Sequence, residues 1–196
     1  MVRPVLLLLD YQKAICEPDG AIGRSGTGDE VVRRGVLDLA AQILEKFRNR
    51  EAPVIHSRVA FDASYHRLTS GSDRFRSLRD AGVLREGDPD TEFCLEVLPT
   101  GEEVVVTKGC VNPFVGTNLS ERLIPLRATE LVVAGVATNQ VVESTVRYAA
   151  DIGYRIVVLE DLCASFNREM HEFSVEKILP SFGQVTTGVD YMRNWK

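Results

Sequence analysis

Three stretches of this 196-residue chain carry side chains that can do chemistry in company. Asp10 closes the apolar run Val5-Leu-Leu-Leu-Leu9. A carboxylate in that position is partly desolvated, which raises its pKa unless a cation stands nearby. Lys108 ends the run Val104-Val-Val-Thr-Lys108 and is the candidate cation. The third stretch, Gly135-Val-Ala-Thr-Asn-Gln-Val141, leads an apolar run straight into a helical pattern. Gly135 permits unusual backbone angles, and Thr138 or Asn139 can cap the helix. First-turn N–H groups then point outward with the positive end of the dipole behind them, which stabilises an oxyanion. The same positions also fit a plainer description. Asp10 then caps a turn, Lys108 is a solvated strand end, and the third stretch is an ordinary strand-to-helix connection.

These groups act together only if the fold brings them to one place. Val5–Leu9 reads as a strand buried on both faces. The pattern from Asp29 to Asn49 predicts one long helix, with Val32, Val36, Leu39, Ala40, Ile43, Leu44 and Phe47 on its buried face. Strands follow from Pro53, over Val104–Lys108, Leu131–Ala134 and Arg155–Leu159, with a short last one at Val185–Thr187. Helices are expected near Arg74–Asp80, over Asn118–Ile124, over Gln140–Ile152 with Gly153 as its stop, and over Glu169–Leu179 before Pro180. This alternation predicts an α/β fold of three layers, αβα, around a mostly parallel sheet. In such sheets ligands bind beyond the carboxyl ends of the strands. Asp10, Lys108, the Gly135 turn and Glu160-Asp161 all stand at such ends.

Composition narrows the class. The chain is 44% hydrophobic and 26% charged, in keeping with one domain over 1–196 and one large core. A net charge of -5 argues against a nucleic-acid partner. The four cysteines, Cys16, Cys94, Cys110 and Cys163, show no paired spacing and read as reduced thiols. The run at Val5–Leu9 is too short for a membrane span or a signal peptide. The expectation is a cytoplasmic protein without a membrane partner.

The motifs taken in order resemble those of the isochorismatase-like (cysteine hydrolase) family. The likeness is carried by Leu9-Asp10-Tyr-Gln12, by Val106-Thr-Lys108 with Asn112-Pro-Phe114-Val-Gly-Thr117, by Gly135-Val-Ala-Thr138-Asn-Gln-Val141-Val-Glu143, and by Val158-Leu-Glu-Asp161-Leu-Cys-Ala164. It runs over nearly the whole chain. It implies that Asp10 is the acid/base and Lys108 its partner. It places an oxyanion hole at the N–H groups of Ala137 and residue 141, beside a cis peptide at Val136–Ala137. It also implies a small-molecule substrate and a homo-oligomer. The family's amidases carry a nucleophilic cysteine where this chain has Val141. An isopropyl group has no nucleophile and no proton to give.

Three readings follow from Val141. The chain is a natural hydrolase without covalent catalysis, resembling true isochorismatases, which act on a vinyl ether. Alternatively it is an amidase disabled at position 141, or a binding or scaffold protein on the same fold. A relocated nucleophile at Cys110 or Cys163 is a weaker fourth. Gln12, His56, Phe114 and Gln140 are candidate substrate contacts. Arg58, Arg67 and the run Arg74-Phe-Arg76-Ser-Leu-Arg79 are candidate anion contacts, although the run also reads as a solvated helix face. No cofactor or metal is expected. The three histidines form no ligand pair, and His56-Ser-Arg-Val-Ala-Phe-Asp62 lacks the Asp-x-His metal motif of nicotinamidase-like members. The glycine-rich stretch Gly20–Gly28 reads as a mobile loop over the site.

Overall fold

The computed structural model describes residues 2–101 and 103–195. The elements follow the chain as β1 (Pro4–Leu9), α1 (Lys13–Cys16), α2 (Thr27–Arg34), α3 (Val36–Asn49), β2 (Val54–Val59), α4 (Asp73–Asp80), β3 (Val104–Lys108), α5 (Leu119–Leu123), β4 (Glu130–Gly135), α6 (Glu143–Asp151), β5 (Arg155–Leu159), α7 (Arg168–Phe173), β6 (Gln184–Thr186) and α8 (Gly188–Asn194). The strands form one six-stranded sheet in the order β3-β2-β1-β4-β5-β6, and every pairing is parallel. Helices cover both faces, so the expected three-layer α/β architecture is what the chain adopts. No helix among the described residues is long and apolar enough to cross a membrane.

The strand order matters for the site. The chain builds β1, β2 and β3 outward on one side, then returns to lay β4 against β1. The crevice beyond β1 and β4 is therefore the topological switch point, where the loops leaving the two strands diverge. The register brings four strand ends level. Leu9 faces Gly135 on one side and Ser57 on the other, and Val59 faces Lys108. Asp10 follows directly, with a left-handed φ of 61° that turns the chain at once.

The core explains the central strands. Val5 to Leu9 are buried without interruption, as are Leu131 to Ala134. Such strands show no alternation because both faces meet helices. The long helix expected over Asp29–Asn49 is in fact two. Gly35, at φ 63°, ends α2 by a left-handed cap whose N–H donates to the carbonyls of Val31 and Val32. The break turns Val32 outward, 66% exposed, so its place on the buried face is corrected. α3 then buries Val36, Ala40, Ile43, Leu44 and Phe47. Two further departures concern helix form. The segment expected as one helix from Gln140 begins as a π-helical turn, Thr138–Val142, before α6. The helix expected to Leu179 leaves α-geometry after Phe173. The C-terminal α8, capped by the Thr187 hydroxyl accepting from the Asp190 N–H, was not anticipated.

Candidate active site

At the switch point the Asp10 carboxylate is held from two sides. Lys108 Nζ donates to Oδ2 at 2.6 Å, and Ser57 Oγ donates to Oδ1 at 2.8 Å. Lys108 Nζ also donates to the Cys110 carbonyl at 3.2 Å. Both charged side chains are almost wholly out of water, at 0% exposure for Lys108 and 5% for Asp10. Burial pushes the Asp10 pKa up, and the charge of Lys108 with the two hydrogen bonds offsets this only in part. Asp10 is thus an oriented carboxyl group that is easier to protonate than an exposed one.

The turn after β4 forms the facing wall. The Val136–Ala137 peptide is cis. Gly135 lies so close to β1 that a Cβ there would meet the Leu9 carbonyl oxygen at 2.4 Å. Neither Thr138 nor Asn139 caps the helix, correcting that expectation. The buried Thr138 hydroxyl instead meets His171 Nδ1 at 2.8 Å, and its N–H donates to the Ala164 carbonyl. Asn139 accepts from Ser165 Oγ. These bonds pin the turn from the β5 side.

Asp10, Lys108, Ala137, Gln140 and Val141 line one cavity of about 50 Å³. Its other walls are mostly apolar, from Ile15, Ile22, Val59, Phe75, Leu84 and Phe166. The stretch Gly20–Gly28 does border the cavity, through Ile22 and Thr27. It is built of close turns rather than an open loop, since a Cβ on Gly23 would sit 1.8 Å from the Glu17 carbonyl oxygen.

Several candidates lie elsewhere. The Gln12 amide is fully engaged, donating to the Val59 and Thr91 carbonyls and accepting from the Val59 N–H. It ties β1 to the β2 end and does not line the cavity. His56 is buried on another side of β2, where its Nε2 meets Glu103 at 3.0 Å. Phe114 stacks on Tyr148 outside the cavity, with ring centroids 5.0 Å apart. Glu160 binds Arg34 and His171, and Asp161 accepts from the Gly188 N–H. Arg58 donates to Thr107 and Arg67 to Glu86. All four cysteines are free and buried. Cys163 donates to the Leu159 carbonyl, and burial pushes its thiol up to about 12. Cys110 Sγ donates to the Asn112 carbonyl, away from the cavity lining. Among the described residues no group of three His, Cys, Asp or Glu side chains converges on a metal site.

Sequence reasoning missed Ser57, which lies within β2 and reaches Asp10 only through the register that sets it beside Leu9, the last residue of β1. The apolar walls carried no signal, because Ile15, Phe75 and Phe166 meet only after folding.

Comparison with known proteins identifies the domain. The sequence matches the isochorismatase domain over residues 4–190. It is 36% identical over 164 residues to the isochorismatase family protein YrdC of Bacillus subtilis, covering 84% of this chain and 75% of that one. It is 25% identical over 194 residues to maleamate amidohydrolase of Pseudomonas putida, covering 97% and 86%. A solved cysteine hydrolase from Pseudomonas syringae pv. phaseolicola superposes with a TM-score of 0.83 at 25% identity, over 97% of this chain and 91% of that one. A domain match reaching from the first strand into the last helix, on a sheet with the same architecture, leaves one conclusion: this chain belongs to the isochorismatase family of hydrolases.

Proposed function

We propose that the chain hydrolyses a small enol ether by acid–base chemistry at Asp10, with no covalent intermediate. One observation carries this reading: a buried carboxyl group of raised pKa and the hydrocarbon side chain of Val141 line the same cavity. On the family resemblance, position 141 is where a nucleophilic cysteine would stand. With valine there, proton transfer and water addition are the chemistry left to this cavity.

Asp10 in its acid form gives a proton to the alkene carbon of the enol ether, leaving an oxocarbenium carbon. Water adds to that carbon while the Asp10 carboxylate takes a proton from it. The hemiketal then collapses to a ketone and an alcohol. Ser57 and Lys108 hold the carboxyl plane throughout, and Lys108 offsets its charge after the proton leaves. The raised pKa favours the acid form needed at the start, the tuning other enzymes obtain by enclosing a carboxyl group in apolar walls.

A second reading is favoured by the relative named maleamate amidohydrolase. On that reading the scaffold is an amidase lacking its nucleophile, and the chain binds a small molecule without turning it over. Asp10→Asn separates the two, since the asparagine Oδ1 can still accept from Lys108 while its amide N–H donates to Ser57 Oγ. Loss of enol-ether hydrolysis by about 100-fold or more in a variant that still folds and binds ligand supports the acid role. Retained hydrolysis in that variant contradicts it. Ligand binding by a wild-type chain with no turnover supports the second reading. The homo-oligomer implied by the resemblance is part of the proposal, and sedimentation velocity reads it directly.

A further inference from the structure

We propose that His171 is a positioning residue of this site: through Thr138 it sets the turn that carries Ala137, Gln140 and Val141 toward Asp10. This role deepens the functional reading above and rests on it only where turnover is measured.

His171 is 1% exposed and Thr138 0%, and neither lines the cavity. Both ring nitrogens are nonetheless engaged. Nδ1 meets the Thr138 hydroxyl at 2.8 Å, and Nε2 meets Glu160 Oε2 at 3.4 Å. Arg34 donates to the same Glu160 oxygen at 2.8 Å and to the Cys163 carbonyl at 3.0 Å. Burying such groups costs stability unless they are paired. A paired imidazole also fixes the direction of its partners, which an apolar side chain of that size does not.

The donor and acceptor roles follow from the carboxylate. The hydrogen bond from His171 pulls the Glu160 pKa below its ordinary value; burial opposes this, and the charge of Arg34 adds to it. An ionised carboxylate only accepts, so Nε2 carries the imidazole proton. Nδ1 is then a lone-pair acceptor, and the Thr138 hydroxyl donates to it. Glu160 thereby selects the tautomer that holds Thr138.

The chain of contacts joins two walls of the cavity. Arg34 ends α2, whose first residue, Thr27, lines it. Thr138 opens the π-helical turn whose Gln140 and Val141 also line it. α7 is itself fixed, by the Asn167 cap on the Met170 N–H and by Ser174 Oγ donating to Glu143 on α6. A displaced His171 contact is therefore felt at the turn.

Paired amide variants test this, because asparagine reaches as far as Nδ1 and glutamine as far as Nε2. Both remove the ring, so a role in packing alone moves them together. On the isochorismate-like enol ethers, His171→Gln and Thr138→Val are each expected to lower kcat by about tenfold, the scale of a small misplacement of reacting groups, with KM little changed. The double variant is expected to lose no more than either single one. His171→Asn, which keeps an acceptor for Thr138, is expected to retain most of the wild-type kcat. Where His171→Gln does not fold, Thr138→Val tests the same bond from its other end. Unchanged turnover in either variant, equal losses in His171→Asn and His171→Gln, a change in KM alone, or additive losses overturn the assignment. A wild-type chain without turnover defeats the hydrolase reading, and NMR then decides this one. The imidazole nitrogen spectrum is expected to show Nδ1 unprotonated. His171→Gln and Thr138→Val are expected to displace the same amide signals between Ala137 and Val141, which His171→Asn leaves in place. A proton on Nδ1, or turn amides unmoved by the loss of either partner, overturns the role of His171 with or without turnover.

Discussion

Removing either member of the Asp10–Lys108 pair strands the other in a place water does not reach. Lys108→Met is expected to cost about 3–5 kcal/mol at pH 7, the usual penalty for leaving a buried charge unpaired. The sign of its pH dependence follows from burial. Asp10 already has a raised pKa in the folded chain, and losing the lysine raises it further. A carboxyl group whose folded pKa is raised destabilises the fold as pH rises through that pKa. The deficit of Lys108→Met should therefore shrink on acidification, because protonated Asp10 needs no cation. Urea denaturation of both chains at pH 7 and pH 5 checks this, and a deficit independent of pH contradicts it. At this scale the sequence was legible where residue type and strand end coincide, as for Asp10 and Lys108. It misled at Gln12 and His56. Both look chemically able, and only the folded contacts with Val59, Thr91 and Glu103 reveal that the Gln12 amide and His56 Nε2 are engaged, with His56 Nδ1 buried and unpartnered among the described residues.

Elements hold these residues in place through close approaches that tolerate little change. Gly135→Ala would drive a Cβ to 2.4 Å from the Leu9 carbonyl oxygen and 2.6 Å from the Leu9 Cβ, at the seam of β1 and β4. A loss of about 2 kcal/mol or more is expected, on the scale of core overpacking, and the seam leads straight into Asp10. Gly35→Ala is a useful contrast. No atom lies within 4 Å of its added Cβ, so only the left-handed φ of 63° opposes it. It should cost about 1–2 kcal/mol and leave the cavity unaltered. Thermal unfolding ranks the two, and the reverse order would contradict the packing argument. Strand positions were readable because runs such as Val5–Leu9 have no other stable use. The α2–α3 break and the π turn at Thr138–Val142 were not. One depends on which face of a glycine-interrupted pattern finds the core, and the other on contacts from Ala164, Ser165 and His171.

The whole molecule gathers a site by strand order alone: β1 and β4 are separated by most of the chain, yet they lie side by side and set Asp10 against the Gly135 turn. The α/β class and the sheet edge where Asp10 meets Lys108 were legible for that reason, since alternation implies a parallel sheet and the strand ends of a parallel sheet share one edge. The cavity's shape was not, because its walls come from segments with no shared pattern. Away from the site, Glu103 ties the β2–β3 side of the sheet to α3. Burial acts to raise its pKa, but Arg48, the Thr100 N–H and His56 together pull it down to about 2. A depressed carboxylate stabilises the fold above its ordinary value near 4.5 and loses that contribution as pH falls toward 2. Glu103→Gln should therefore lose at most about 3 kcal/mol relative to wild type at pH 7 and little at pH 2. Denaturation midpoints across that range decide it, and a gap that widens on acidification contradicts the network. The central claim is chemical, and turnover by this chain beside Val141→Cys tests it most directly, on a panel of isochorismate-like enol ethers and small primary amides or ureas. The chain as it stands is expected to cleave an enol ether, and the cysteine to add nothing. Turnover by Val141→Cys alone, on amides, would contradict it.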